Sequence, residues 1–307
     1  MQRVLFVFVD GVGLGPADPA INPFVVARLP TLRHLLGGAL PTIDDAPLHT
    51  ERASLVGLDA SLGVPGLPQS GTGQASLLTG HNAARLFGRH YGPWTPTALR
   101  PLVAEESVLA RARRAGRRVA FANAYPEEAV RPPADGDRRA RRRTPLRAGP
   151  PLAALGAGLL TRHTAALARG DAIASEITND GWREHLGRLE LPVISPQTAG
   201  RNLARIAAAH DLTLFAHYST DTAGHRREMK DAVLALERVD AFLHGLLEAL
   251  PRDVLLLVAS DHGNIEDVRT GHTRNPALAL VCGPGHVAIA ERLRALTDVA
   301  GVVLEPA

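Results

Sequence analysis

Asp221-Thr-Ala-Gly-His225 places a carboxylate and an imidazole four residues apart. On a helical turn that spacing puts both on one face, where they can share a metal ion. Asp261 and His262 are adjacent, and His272 follows ten residues later across a short polar loop. In regular structure adjacent side chains diverge. On a loop at a strand end, Asp261 and His262 can instead reach two neighbouring metals, or one metal from two sides, with His272 completing the Asp221/His225 site. Asp10 is an isolated acid after the apolar run Val4–Val9. A buried carboxylate without a partner is costly, so a cation beside it is the economical reading. Gln69-Ser70-Gly71-Thr72-Gly73-Gln74 adds a hydroxyl at the start of an expected helix, where free amides and the helix dipole favour an anion. A serine there, activated by a metal, is a nucleophile for phosphorus. Thr72 is the alternative nucleophile in the same loop, and motif register favours Ser70.

The elements that must position these groups alternate. Strands are expected at Val4–Val9, Arg118–Ala122, Leu212–Ala216, Val254–Ala259, Ala277–Val281 and Val299–Leu304. Helices are expected at Pro30–Leu36, Gln74–Leu78, Val103–Ala115, Thr198–Ala209, Met229–Leu250 and Ala288–Leu296. Such alternation predicts an α/β fold: a mostly parallel β-sheet with helices on both faces. Asp10, His217 to Asp221, and Asp261 with His262 each follow a strand. Three strands therefore deliver acids and histidines to one sheet edge, where ligand sites of open α/β sheets lie. Residues 1–125 and 191–307 read as a metal-binding core domain, and 126–190, rich in Pro, Gly, Asp and Arg at its start, as a small cap or lid insert.

Composition sets the background. The chain has 307 residues, 45% of them hydrophobic and 4% aromatic, so its core rests on Ala, Val, Leu and Ile. No apolar run is long enough to span a membrane. The N-terminal apolar stretch ends in Asp10 and reads as a buried strand, not a signal peptide. Cys282 is the sole cysteine, which excludes an internal disulfide and fits a reducing cytoplasm. Net charge is +3, and Lys230 is the only lysine. Arg138, Arg139, Arg141, Arg142 and Arg143 form one dense basic cluster. No aromatic interleaves it, so holding an anionic substrate is a better reading than binding nucleic acid.

These motifs together resemble the alkaline phosphatase superfamily, and within it the cofactor-independent phosphoglycerate mutase and phosphopentomutase branch. Phe8-Val9-Asp10-Gly11 resembles the family's first-strand aspartate. Ser70-Gly71-Thr72-Gly73-Gln74 resembles its nucleophile loop, Asp221 to His225 its Asp-x-x-x-His element, Ser260 to Asn264 its Asp-His-Gly-Asn element, and Gly271-His272-Thr273 its last histidine, all in family order. The resemblance implies that Asp221, His225 and His272 hold one metal, and Asp10, Ser70, Asp261 and His262 the other. A donor set of carboxylate, imidazole and hydroxyl suits Mn²⁺ or Zn²⁺. It also implies a phosphatase or phosphodiesterase-like hydrolase that acts on a small phosphorylated metabolite through a phosphoserine at Ser70. The alternatives are a phosphomutase and a non-catalytic metal-binding protein of the same fold. The chain departs from the mutase pattern in three ways. Gly80 and Asp221 are only 141 positions apart and part of that interval reads as core, so the insert of about Pro126 to Glu190 is too small for the large second domain of long mutases; Gln74 stands where that branch has histidine, and any substrate-binding lysine must be replaced by arginine.

Overall fold

Hydrophobic residues without a break from Val4 to Val9 make strand β1 (Arg3–Val9), buried on both faces as a central strand must be. The computed structural model describes residues 2–130 and 146–305. After β1 come β2 (Leu48–His49), β3 (Ala53–Leu58), β4 (Val119–Phe121), β5 (Leu212–His217), β6 (Val254–Ala259) and β7 (Ala277–Cys282). They form one seven-stranded sheet in the order β2-β3-β7-β6-β1-β5-β4. The four strands β4, β5, β1 and β6 run parallel to one another. Strands β7, β3 and β2 extend the sheet by antiparallel pairing. The loop 260–276 explains the reversal: it leaves β6 and returns at the same sheet edge, so β7 must run back.

Alternation along β1 sends Val4, Phe6 and Phe8 to one face and Leu5, Val7 and Val9 to the other. The first set packs with Leu77, Leu78, Val108, Val299 and Val303. The second packs with Leu203, Leu236, Phe242 and Leu246 from the helices Pro196–Ala208 and Met229–Ala249. The sheet is therefore covered on both sides, as the alternating elements predicted.

Three local expectations need correction. Asp298–Leu304 is a helix, not a strand. Its valines suggest a strand, but Val299, Ala300, Val302 and Val303 are buried at helical spacing, and packing against the Ser70–Thr79 helix overrides β-propensity. The stretch read as one helix over Val103–Ala115 is two, Arg100–Glu106 and Val108–Arg114, divided at Ser107, whose hydroxyl caps the second by accepting from Ala110 N. The strands β2 and β3 went unrecognised because Gly57 and the polar residues between them hide their alternation.

Within the interval expected as an insert, Gly149–Gly156 packs on the core helices Arg100–Glu106 and Ser70–Thr79, and Leu152, Ala153 and Ala154 join the main core. Farther along, Leu167, Ala172, Ala174, Trp182 and Leu191 form a small cluster of their own with Ala124. The arginine cluster over 138–143 lies outside the described residues.

Candidate metal centre

The register of the parallel strands aligns their ends. Phe8 pairs with Ala216 on one side and with Ala259 on the other. Asp10, Asp221 and Asp261, each within a few residues of such an end, thus converge on the carboxyl edge of the sheet. Gly11 makes the convergence sterically feasible. Its φ is +65°, and a Cβ there would sit 2.5 Å from Asp221 Oδ1.

All seven residues expected from the sequence come together, in two adjoining clusters. In the first, His225 Nε2 lies 3.1 Å from His272 Nε2 and 3.3 Å from Asp221 Oδ2, and His272 Nε2 lies 3.7 Å from Asp221 Oδ1. In the second, His262 Nε2 is 2.9 Å from Ser70 Oγ, 3.4 Å from Asp10 Oδ1 and 3.7 Å from Asp261 Oδ2. Asp221 Oδ1 is 3.9 Å from His262 Nε2 and joins the two. Donors about 2.0–2.2 Å from a common ion are spaced roughly 3.0–3.6 Å apart, and the groups gathered closely enough to share an ion are Asp221, His262 and His272, and Asp10, Asp261 and His262. Burial separates them. Asp261 and His262 are fully buried, whereas the His225 side chain is half exposed.

Two features argue that these donors are built for cations. Asp10 Oδ1 and Asp261 Oδ2 are buried atoms without a hydrogen-bond partner, which native proteins tolerate only with a purpose. The histidine tautomers also fit. His272 Nδ1 sits 2.9 Å from Pro68 O and His262 Nδ1 sits 3.2 Å from Gly263 O, so each Nδ1–H donates to a carbonyl and each Nε2 is turned toward the acids. Electrostatics agree. Burial first, then the neighbouring Asp261 and Asp221, raises the Asp10 carboxyl well above its usual range, and burial raises Asp261 as well. For His262 burial acts downward, but Asp261, Asp10 and Asp221 outweigh it and lift the imidazole to about 10. Burial and His262 hold His272 down at about 4. Three acids held this close call for positive charge.

Ser70 is the first residue of the Ser70–Thr79 helix. The amide of Thr72 is taken by Tyr91 O and that of Gly73 by Gln69 O. Gly71 is required by a close approach, since a Cβ there would lie 2.1 Å from Trp94 O. Thr72 turns away from the clusters: its hydroxyl accepts from Tyr91 N at 3.1 Å and fixes the Tyr91–Trp94 loop. Of the two candidate nucleophiles, Ser70 is therefore the one placed among the metal donors.

Several supporting residues escaped the sequence reading. Glu266 is fully buried and accepts from Gly13 N, Asn264 N, Asn275 Nδ2 and Thr273 Oγ1. It ties the 260–276 loop to the end of β1. Asn264 Nδ2 donates to Asp221 Oδ1 at 2.6 Å, and Thr220 Oγ1 donates to Asp10 O at 2.6 Å. Gln74 Nε2 donates to Asp10 Oδ2 at 3.0 Å while its Oε1 accepts from Gly149 N. Gln74 thus orients a ligand carboxylate from the position where the mutase pattern has histidine. The sequence signal for Glu266 was a lone acid two residues beyond Asn264, but nothing local reveals four donors arriving from separate segments. Replacing Glu266 by alanine leaves those donors unsatisfied, and urea unfolding should show a loss of roughly 2–4 kcal/mol.

Arg89 and Trp182 do not line the site. Arg89 lies over the Phe87 and Tyr91 rings, and Trp182 is buried in the small cluster.

Similarity to known proteins points the same way. Residues 192–306 match the model of the Metalloenzyme superfamily. A 2,3-bisphosphoglycerate-independent phosphoglycerate mutase of Ruegeria pomeroyi is 35% identical over 120 residues, 36% of this chain and 23% of that protein. The enzyme of that name from Chloroflexus aggregans is 36% identical over 109 residues, 31% of this chain and 20% of that protein. The matched segments thus span less than a quarter of either relative. Among solved structures, the PH0037 protein of Pyrococcus horikoshii shares the fold with a TM-score of 0.59 at 13% identity, covering 99% of this chain and 96% of that one. Leishmania mexicana phosphoglycerate mutase does so with a TM-score of 0.51 at 11% identity, covering 99% and 95%. Over residues 192–306 the chain is thus similar to the metalloenzyme superfamily, and Asp221, His262 and His272 fall within that stretch.

Proposed function

We propose that this protein is a metal-dependent phosphatase that moves the phosphoryl group of a small phosphorylated metabolite onto Ser70 and then to water. The observation that carries the proposal is the place of Ser70 Oγ, at a helix N-terminus and 2.9 Å from His262 Nε2, within the buried group of candidate metal donors. Asp221, His225 and His272 would hold one divalent ion, and Asp10, Asp261, His262 and Ser70 the other, with Mn²⁺ and Zn²⁺ both suited to the donors. Such ions supply charge neutralisation for the phosphoryl oxygens and lower the pKa of the serine hydroxyl.

The protein's own groups do the rest. The Ser70–Thr79 helix start favours an incoming anion. Gln74 and Asn264 fix Asp10 and Asp221, so the donors need no reorganisation when substrate arrives. The Ser70 Oγ–phosphorus bond forms as the ester P–O bond breaks, and the departing alkoxide takes up a proton. Attack of water on phosphoserine then frees inorganic phosphate and restores the hydroxyl. The cavity against Asp10, Ser70 and Asp221 has about 340 Å³, room for a small ester.

A second reading, a phosphomutase, draws support from the names of the relatives matched over the C-terminal part. It needs the same phosphoserine but must return the phosphate to the bound product. A panel of phosphorylated metabolites with Mn²⁺ or Zn²⁺, scored separately for inorganic phosphate and for isomer, separates the two. Phosphate is the expected product, and isomer without phosphate would replace the phosphatase by the mutase.

A further inference from the structure

The chain has only two tryptophans and three tyrosines. Three of these five, Trp94, Tyr125 and Tyr218, line the single cavity that also holds Asp10 and Ser70. Pro93 and Ala148 complete that apolar side, and among the described residues no arginine or lysine lines the cavity.

The ordinary explanation of clustered aromatics is core packing, and two observations oppose it. Trp94 is 46% exposed, so its ring is not there to fill the core. The Tyr125 and Tyr218 rings both border the cavity, and their buried hydroxyls pair with each other beside it. The aromatics are also held firmly. Tyr218 packs edge-on against Phe8 with centroids 6.0 Å apart, and Tyr125 stacks on Phe121 at 6.1 Å, so the ends of β1 and β4 back them. The loop carrying Trp94 is pinned beside the nucleophile, through Thr72 N to Tyr91 O at 3.0 Å and Thr95 N to Arg147 O at 3.0 Å.

We propose that Trp94, Tyr125 and Tyr218 form a subsite for the organic part of the ester, and that this part is flat, an aryl or nucleobase-like ring. A ring entering beside Ser70 meets aromatic faces, and the Tyr125–Tyr218 hydroxyl pair offers it one hydrogen-bond donor. The subsite rests on the reading of Ser70 and its metals as a phosphoryl-transfer site.

The test compares non-hydrolysable ligands on the Mn²⁺-loaded protein by titration calorimetry. Phenylphosphonate should bind at least about tenfold more tightly than methylphosphonate, and Trp94→Ala should reduce that preference to about threefold or less while leaving methylphosphonate affinity unchanged. Phenylphosphonate should also quench the tryptophan fluorescence of the wild-type protein, since the other tryptophan, Trp182, is only 4% exposed. Equal affinity for the two phosphonates, a preference that survives Trp94→Ala, or tighter binding of 3-phosphoglycerate than of phenylphosphonate each overturns the subsite. Binding of methylphosphonate without any gain from the ring rejects the subsite alone. Failure of both phosphonates to bind rejects the phosphoryl site along with it. Faster release of phosphate from adenosine 5′-phosphate than from ribose 5-phosphate would support the subsite and assign the ring to a nucleobase. Faster release from phenyl phosphate alone would support it with a smaller arene.

Discussion

Replacing Ser70 by alanine should lower phosphate release by roughly 10⁴-fold or more, the scale seen when a covalent nucleophile is removed from a preorganised site. The fold should survive. The side chain removed is one hydroxyl at the first residue of a helix whose preceding residue, Gln69, makes no side-chain cap. The neighbouring variant Thr72→Ala gives the contrast. Its hydroxyl holds the Tyr91 amide, so its loss should cost about 1 kcal/mol of stability and leave chemistry largely intact. Steady-state rates decide between the two hydroxyls, and mass spectrometry of acid-quenched protein should find the phosphoryl group on the Ser70 peptide. Turnover within tenfold of wild type in Ser70→Ala, with phosphate found elsewhere or nowhere, would sink the mechanism.

Chelation should have the second large effect, on stability as well as activity. Asp10 and Asp261 are buried and carry raised carboxyl pKa values. A carboxyl whose folded pKa is raised contributes stability below its unfolded pKa and loses it as pH rises through the folded value. The chelated protein should therefore weaken from mildly acidic to mildly alkaline pH. Metal binding acts in the opposite sense, because the carboxylates and imidazoles must shed protons to coordinate. The difference in melting temperature between Mn²⁺-loaded and chelated protein should thus widen from pH 5 to pH 8. An ion present at a hundred times its dissociation constant adds about 2.7 kcal/mol per site, several degrees for a chain of this size. Asp261→Asn should reverse sign between the two forms. It removes a buried charge while keeping an oxygen for Gly11 N, so it should raise the melting temperature of the chelated protein and lower that of the loaded one. A chelation effect of the same size at both pH values, or a uniform loss in Asp261→Asn, would contradict the electrostatic account.

The sequence by itself determined which acids and histidines gather and the edge of the sheet they occupy. Asp10, Asp261 and His262 follow the apolar strands β1 and β6, Asp221 comes in the first turn of the helix after β5, and a buried parallel strand can release a polar chain only at its end. The spacing of Asp221 and His225 and the order of the motifs carried the rest of the ligand set. The α/β layering was legible for a similar reason, because the periods of buried strands and amphipathic helices are written locally.

What the sequence could not decide depends on meetings between distant segments. Val299–Leu304 is helical because a neighbouring helix buries its stripe, a fact absent from its own β-branched residues. The return of β7 antiparallel follows from the path of the 260–276 loop. Choosing Ser70 over Thr72 needed the 2.9 Å contact with His262 and the diversion of Thr72 to the Tyr91 loop. Glu266 and Gln74 became visible only when donors from Gly13, Thr273 and Gly149 arrived beside them. The aromatic wall is the extreme case. Trp94, Tyr125 and Tyr218 stand far apart in the chain and share no motif, and only the folding of three segments around Ser70 makes them one surface.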